Sequence, residues 1–483
     1  MENLTMEKLH LEISDINVWW SGEVLSDSKN MPIKRKGFYL CKKSIENKEL
    51  DRDVVLIGPR RVGKTVILHQ LIAYLLYDKK INPKQIVMLD LDDPLFRFTD
   101  LKSILNLILQ INDLVMPIYL FLDEIQAAEA WDKTLKFFYD HHRGKIKKIV
   151  ATGSSAAELI KGSQESGIGR WEEIDISTVS FHEYFENFIN ILDGENITRE
   201  FEPLGEKLNS IEEIFNLRLS EAAEKSLLKF NDALYDYSIF GGFPELIPIK
   251  SEKDAQSVIR RDILDRTLNR DMVQIYNIRQ PKEIEKLYFY ICSNAGSETA
   301  LTKLANILSV DNNTIKRYIS QLKESRLIHN IPKWSKKQIP RGHEKIYPID
   351  ASIRNALLAK SKKDLISNPI DFGYVAELLA VTHTSRWAKY HSYSLQHYRE
   401  QKKEIDIIVK EGNEVYPIEV KFQENIEIRD VLKNFDAFYE KNRFEKAFII
   451  NKGPDINGKI EIQKRKYELY VYPLWFYLTI ISV

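Results

Sequence analysis

From Val54 onward, short apolar runs of β type alternate with longer stretches whose apolar residues recur at helical spacing: VVLIG, TVILHQLIAYLL, IVMLDLDD, IYLFLDE and IKKIVATGSS. Strands separated by helices predict a parallel sheet with helices on both faces. Residues 1–50 are polar and mixed, with Trp19 and Trp20 as strong apolar anchors, and read as an extension packed on the domain that follows. The alternating pattern fills residues 51–185. Residues 186–280 then read as a mostly helical lid, broken where Gly241, Gly242 and Pro244 punctuate the chain. Residues 281–350 form a further helical unit ending in β-type segments, and residues 365–483 return to mixed α and β character.

A chain of 483 residues is too long for one hydrophobic core. Its 44% hydrophobic and 29% charged residues are those of an ordinary globular protein. Lys plus Arg and Asp plus Glu both total 70, so any basic surface must be local. Cys41 and Cys292 lie far apart and outside any CxxC or Cys/His cluster, which argues against a zinc site or disulfide framework and fits a reducing compartment. The start MENLTMEKLHLEISD is acidic where a signal peptide needs a basic start and an apolar stretch. No apolar run approaches the ~18 residues of a membrane span. A cytoplasmic location without a membrane partner is expected.

The segment Gly58, Pro59, Arg60, Arg61, Val62, Gly63, Lys64, Thr65 fulfils the P-loop pattern, follows a buried-type strand and opens an amphipathic helix. Such a loop curls backbone N–H groups around phosphate oxygens and adds the positive end of a helix dipole. Lys64 is expected on the β and γ phosphates and Thr65 on Mg²⁺, which makes ATP and Mg²⁺ the expected cofactors. Further on, Ile118 to Leu122 ends in Asp123 and Glu124, a Walker B pattern: Asp123 for the Mg²⁺ shell, Glu124 to polarise the attacking water. The next strand runs into Thr152, Gly153, Ser154 and Ser155, small polar residues that could sense the γ-phosphate or position water, with Ser154 counted in the nucleotide site. A helix N-cap is the alternative for each of these hydroxyls.

GPRRVGKT, LDLDDP, LFLDEIQ, ATGSSA, IGRW and YSIFGGFPE together resemble a large family of prokaryotic AAA-type ATPases that carries a C-terminal domain of unknown function, over roughly residues 50–480. The resemblance implies an α/β P-loop NTPase sheet with a helical lid. It also aligns Arg170 with the family's Gly-Arg motif, a candidate arginine finger, with a surface ion pair as the alternative. A finger unable to reach its own nucleotide would require a neighbouring subunit, so a homo-oligomer stays open.

Residues 299–329 read as two helices with a break at Ser309 to Asn312, which looks like a winged helix-turn-helix unit. Asn312, Asn313, Lys316 and Arg317 would face outward near the start of the second helix, and Trp334, Lys336, Lys337 and Arg341 could form a basic wing. DNA is the partner expected through residues 299–341 and the C-terminal domain; a protein partner is the alternative, since such modules also bind proteins. Finally, KEIDIIVKEGNEVYPIEVK, residues 403–421, reads as a hairpin that displays Asp406, Glu419 and Lys421. It resembles the PD-(D/E)XK nuclease core, with Glu377 as the acidic helix residue and Asn434 as the nearest substitute for the family's glutamine. Asp406 and Glu419 would hold a metal ion. A three-residue turn of Glu411, Gly412 and Asn413 would set Asp406 opposite Ile418, so a four-residue turn or a bulge near Pro417 is expected. The chain as a whole reads as an ATPase coupling nucleotide state to a DNA-contacting, nuclease-like C-terminal half. The alternatives are a non-nucleolytic switch and a STAND-like regulator.

Overall fold

The DVVLI segment forms β1 (Asp53–Ile57), buried along its whole length, as a strand covered on both faces must be. The computed structural model describes residues 2–25, 33–47, 49–111, 114–153, 169–185, 227–298, 300–335, 344–423, 428–453, 458–460 and 466–481. With β2 (Ile86–Asp90), β3 (Ile118–Asp123), β4 (Ile146–Gly153) and β5 (Trp171–Asp175), β1 builds a five-stranded sheet in the order β2-β3-β4-β1-β5. Every pairing is parallel, so all five strands deliver their C-terminal ends to one edge. The acid-bearing β3 is separated from the P-loop strand β1 by β4 alone.

The N-terminal extension protects the sheet. It contains α1 (Glu2–Ile16), whose Leu9 and Ile13 are buried, and α2 (Lys36–Glu46). The Asn17 amide donates to Met88 O at 2.9 Å and accepts from Met88 N at 2.6 Å, and the indoles of Trp19 and Trp20 both donate to Ile86 O, at 3.0 and 2.8 Å. These side chains satisfy the outer edge of β2, which would otherwise offer unpaired backbone groups to another strand.

The described residues cluster into two compact units, Met1–Ser177 and Thr178–Val483, where five segments are expected from the sequence. Phe230 and Tyr237 of the helix Leu227–Phe240, Ile331 and Tyr347 of a small hairpin, and Ile407, Ile418 and Tyr472 of a second sheet belong to one buried apolar cluster. The first part of the expected lid, residues 186–226, lies outside the described residues.

Within this second unit, the helices Leu301–Leu308 and Asn312–Glu324 are joined by a short turn, with Asp311 capping the second through Asn313 N and Thr314 N. The antiparallel strands β6 (Ile328–Ile331) and β7 (Lys345–Pro348) follow. The long helix Pro369–Tyr390 packs on a six-stranded mixed sheet, ordered β12-β13-β11-β10-β9-β8, made of β8 (Ser394–Glu400), β9 (Lys403–Glu411), β10 (Glu414–Lys421), β11 (Lys446–Asn451), β12 (Gly458–Ile460) and β13 (Glu468–Pro473). No helix among the described residues is long and apolar enough to cross a membrane.

Candidate nucleotide site and C-terminal charge cluster

The loop after β1 turns beneath the backbone of Ile176. A Cβ at Gly58 would lie 2.2 Å from Ile176 O, so only glycine lets the chain pass there. The helix Lys64–Ala73 then begins, and its first residue is buried. Lys64 Nζ donates to Gly58 O at 3.0 Å and Pro59 O at 2.9 Å, which holds the ammonium over the loop it is meant to complete. Val62 is buried under the loop, whereas Arg60, Arg61 and Gly63 are partly exposed and Thr65 is exposed. Arg35 braces the loop from the extension: its guanidinium donates to Val62 O at 2.8 Å and to Ser177 O at 3.1 Å. The sequence holds no sign of this role, because an arginine in a polar stretch reads as solvated.

At the same sheet edge, Asp123 closes β3 in register with Asp90 of β2. The Thr65 hydroxyl donates to Asp123 Oδ2 at 2.7 Å, and the Thr152 hydroxyl of β4 donates to Asp123 Oδ1. Burial pushes the Asp123 carboxyl up from its ordinary value, with the two threonine hydroxyls working against the shift. Asp90 is pushed up as well, by burial first; the Asp92 N–H opposes the shift and the charge of Asp123 adds to it. Two adjacent carboxylates disfavoured as anions are what a cation would relieve. Asp123 and the Thr65 hydroxyl are hard oxygen donors of the kind that would suit Mg²⁺. Glu124 sits in the left-handed region at φ 50°; its N–H donates to Thr152 Oγ1 at 3.1 Å, and its carboxylate accepts from the Gln126 amide. Asp90 thus joins the expected residues, with an acid at a strand end as the available signal, and the candidate Thr152 takes part through Asp123 and Glu124. Ser154 lies outside the described residues.

Arg170 is placed elsewhere. It precedes β5, its carbonyl accepts from Asp53 N at 2.8 Å, and its guanidinium pairs with Asp140 at 2.8 Å. Because β5 runs parallel to β1, Arg170 stands at the N-terminal edge of the sheet, a strand length away from the P-loop at the other edge.

In the second unit, Glu377, Asp406, Glu419 and Lys421 do converge, but the register differs from expectation. Glu411 pairs with Glu414 and Ile407 with Ile418, so the turn has two residues, Gly412 and Asn413, and the next pair along is Asp406 with Glu419. Gly412, at φ 58°, accepts the tight turn that a residue with a Cβ resists, and neither a four-residue turn nor a bulge is needed. Asp406 N donates to Glu419 Oε2 at 3.3 Å, and Lys421 pairs with Glu419 at 2.7 Å. A residue the sequence does not single out enters this cluster: Lys345 of β7 reaches Glu404 at 2.7 Å, Glu377 at 3.0 Å and Asp406 at 3.1 Å. Burial, together with the charge of Asp406, pushes Glu377 up to about 7 and Glu419 up to about 8. For Asp406 burial acts in the same sense, but Lys345 and Lys421 outweigh it and hold the carboxyl below its ordinary value. Among the described residues, no group of three or more His, Cys, Asp or Glu is arranged to hold a metal ion. Asn434 lies on the helix Ile428–Lys441, whose buried face is Val431, Leu432, Phe435 and Phe438.

Asn312, Asn313, Lys316 and Arg317 are exposed. A cleft of about 630 Å³ runs beside their helix, lined by Asn312, Lys316 and Lys323 on one wall and by Asn330, Glu344 and Ile346 of the hairpin on the other. Trp334 is no part of an outward basic wing. Its indole donates to Asn442 Oδ1 at 3.1 Å and its ring meets Phe438 edge-on, because an amphipathic indole is better spent on a core rim than in solvent. Lys336, Lys337 and Arg341 lie outside the described residues.

Residues 51–185 match the AAA domain family, and residues 231–364 and 372–477 match two families each described as a domain of unknown function. The chain is 25% identical over 468 residues to the uncharacterized protein MJ1544 of Methanocaldococcus jannaschii, covering 94% of this chain and 93% of that protein. It is 24% identical over 414 residues to an uncharacterized protein of Haemophilus influenzae, covering 82% and 90%. Among solved structures, it is similar to the Aeropyrum pernix ORC1 protein in complex with DNA at 11% identity and TM-score 0.30, covering 67% of this chain and 90% of that one. It is also similar to the Thermotoga maritima RuvB Holliday junction branch migration motor, at 17% identity and TM-score 0.29, covering 63% and 92%.

Proposed function

We propose that this protein binds and hydrolyses ATP with Mg²⁺ in its AAA-type domain, and uses nucleotide state to control a C-terminal half that contacts duplex DNA. The observation that carries the ATPase reading is the chain of hydroxyls and carboxylate at one sheet edge, Thr65 to Asp123 to Thr152, beside the Lys64 ammonium. In this reading Lys64 exchanges the Gly58 and Pro59 carbonyls for phosphate oxygens, and Thr65 and Asp123 hold the metal ion. Magnesium neutralises phosphate charge. Glu124, its backbone fixed by Thr152, accepts a proton from the water whose oxygen bonds to the terminal phosphorus as the bond to the bridging oxygen breaks. Arg170 can stabilise that charge only from a neighbouring subunit.

The DNA reading is supported by the geometry after Leu301: two helices, a capped turn and a hairpin, with exposed Lys316, Arg317 and Lys323 on the second helix, an order of elements that resembles a winged helix-turn-helix. The helix Pro369–Tyr390 and the mixed sheet support a nuclease-like fold. A second reading, a non-nucleolytic switch, is favoured by Lys345 lying among the carboxylates that would otherwise serve a metal. Steady-state ATP turnover with and without duplex DNA, from 50 to 300 mM salt, tests the coupling. Stimulation that fades with salt and is lost in the doubly substituted Lys316→Ala, Arg317→Ala protein is expected. Turnover indifferent to DNA at every salt concentration would move the assignment to a protein partner or to a STAND-like regulator.

A further inference from the structure

The strand β7 has two working faces. Because side chains alternate along a strand, Glu344 and Ile346 line the cleft beside the helix Asn312–Glu324, while Lys345 and Tyr347 point the other way. On that second face the Lys345 side chain is 1% exposed and contacts Glu377, Glu404 and Asp406 within 3.1 Å. The Tyr347 hydroxyl donates to Glu377 Oε1 at 2.7 Å. Asp406 is also tied to the opposite strand, where its Oδ2 accepts from Val420 N at 3.1 Å.

A buried ammonium at hydrogen-bond distance from three carboxylates is not a surface ion pair. Each acid there needs a positive charge or a proton, and removal of the ammonium leaves buried negative charge without compensation. These three acids come from two elements, the helix Pro369–Tyr390 and β9, and the cation comes from a third, the hairpin of β6 and β7. We propose that Lys345 is itself the cation of this carboxylate cluster: the hairpin plugs the site with an ammonium and keeps a divalent ion out for as long as β7 stays docked. The inference goes beyond the ATPase reading and stands without it. It accounts for the presence of the hairpin acids Asp406 and Glu419, with Lys421 beside them, in a cluster that as folded is not arranged to hold a metal. It also makes β7 the element whose displacement would open the cluster.

The test uses the full-length protein without nucleotide and manganese as the probe. Mn²⁺ binding counted by electron paramagnetic resonance should be equal for the wild type and Asp406→Asn, since the plugged cluster contributes no site. Lys345→Ala should melt below the wild type, and millimolar Mn²⁺ should raise its melting temperature by about 5 °C. That gain should be absent from the wild type and from the Lys345→Ala, Asp406→Asn double variant. A manganese ion bound by the wild type and lost in Asp406→Asn would overturn the inference, and so would a folded Lys345→Ala protein with no Asp406-dependent gain. Should Lys345→Ala fail to fold, the count on the wild type and Asp406→Asn decides alone.

Discussion

Replacement of Gly58 by alanine probes the packing on which the nucleotide loop rests. The new Cβ would lie 2.2 Å from Ile176 O, 3.1 Å from Ile176 C and 3.3 Å from its Cβ, so two backbone segments must part by about 1 Å to reach ordinary contact. Neither segment is free to give. Ile176 N donates to Ile57 O at 2.7 Å, directly before the glycine, and the Arg35 guanidinium pins the next carbonyl, Ser177 O, at 3.1 Å. Overpacking of this kind costs about 1–3 kcal/mol. At roughly 2–4 °C per kcal/mol for a unit of this size, calorimetry should show the transition of Met1–Ser177 falling by about 2–12 °C. A shift of ~1 Å also breaks the aim of the loop N–H groups, and the loss of one or two hydrogen bonds lowers ATP affinity by roughly 10-fold or more in a titration. Gly144→Ala is the control, since nothing lies within 4 Å of a Cβ there, and it should leave both quantities unchanged. A Gly58→Ala protein that melts and binds like the wild type would refute the packing described for this loop.

Asp53, buried at the start of β1 and paired with Arg143 at 2.9 Å, should give the first unit a pH dependence. Burial raises its carboxyl from 3.8 to about 6, so the folded state keeps a proton that the unfolded chain releases. Its contribution is full below pH ~4 and lost as pH rises through ~6, an effect on the order of 3 kcal/mol. Melting temperatures from pH 4 to 7 should decline less steeply in Asp53→Asn than in the wild type, and parallel curves would contradict the assignment. Arg170→Ala should leave ATP affinity within about twofold of the wild type, because the side chain stands at the far edge of the sheet. A large loss of affinity in a protein verified as monomeric would show that the arginine reaches its own nucleotide.

What could be read from the chain alone followed from locality. The P-loop after β1, Asp123 and Glu124 at the end of β3 and Thr152 near the end of β4 each sit where a strand ends, and parallel pairing brings strand ends together without further information. Arg170 was ambiguous because motif membership says nothing of which sheet edge a residue occupies; only the register of β5 against β1 decides that. The hairpin acids were legible, but their register hung on whether Glu411 belongs to the turn or to the strand, and it pairs with Glu414. Lys345 was illegible for a different reason. It lies 61 residues before Asp406 and 32 before Glu377, so its charge joins theirs only through the packing of a hairpin onto another sheet. Trp334 was misplaced on similar grounds, since a tryptophan among lysines looks exposed until its neighbour Phe438 is known.

The proposed ATP binding rests most on Lys64 and the main-chain cradle around it. Calorimetric titration of MgATP into the wild type and Lys64→Ala, followed by phosphate release from the same samples, tests that dependence directly. Loss of a charge-assisted contact should weaken binding by roughly 10- to 150-fold and abolish release. Equal affinity and equal turnover in the two proteins would contradict it.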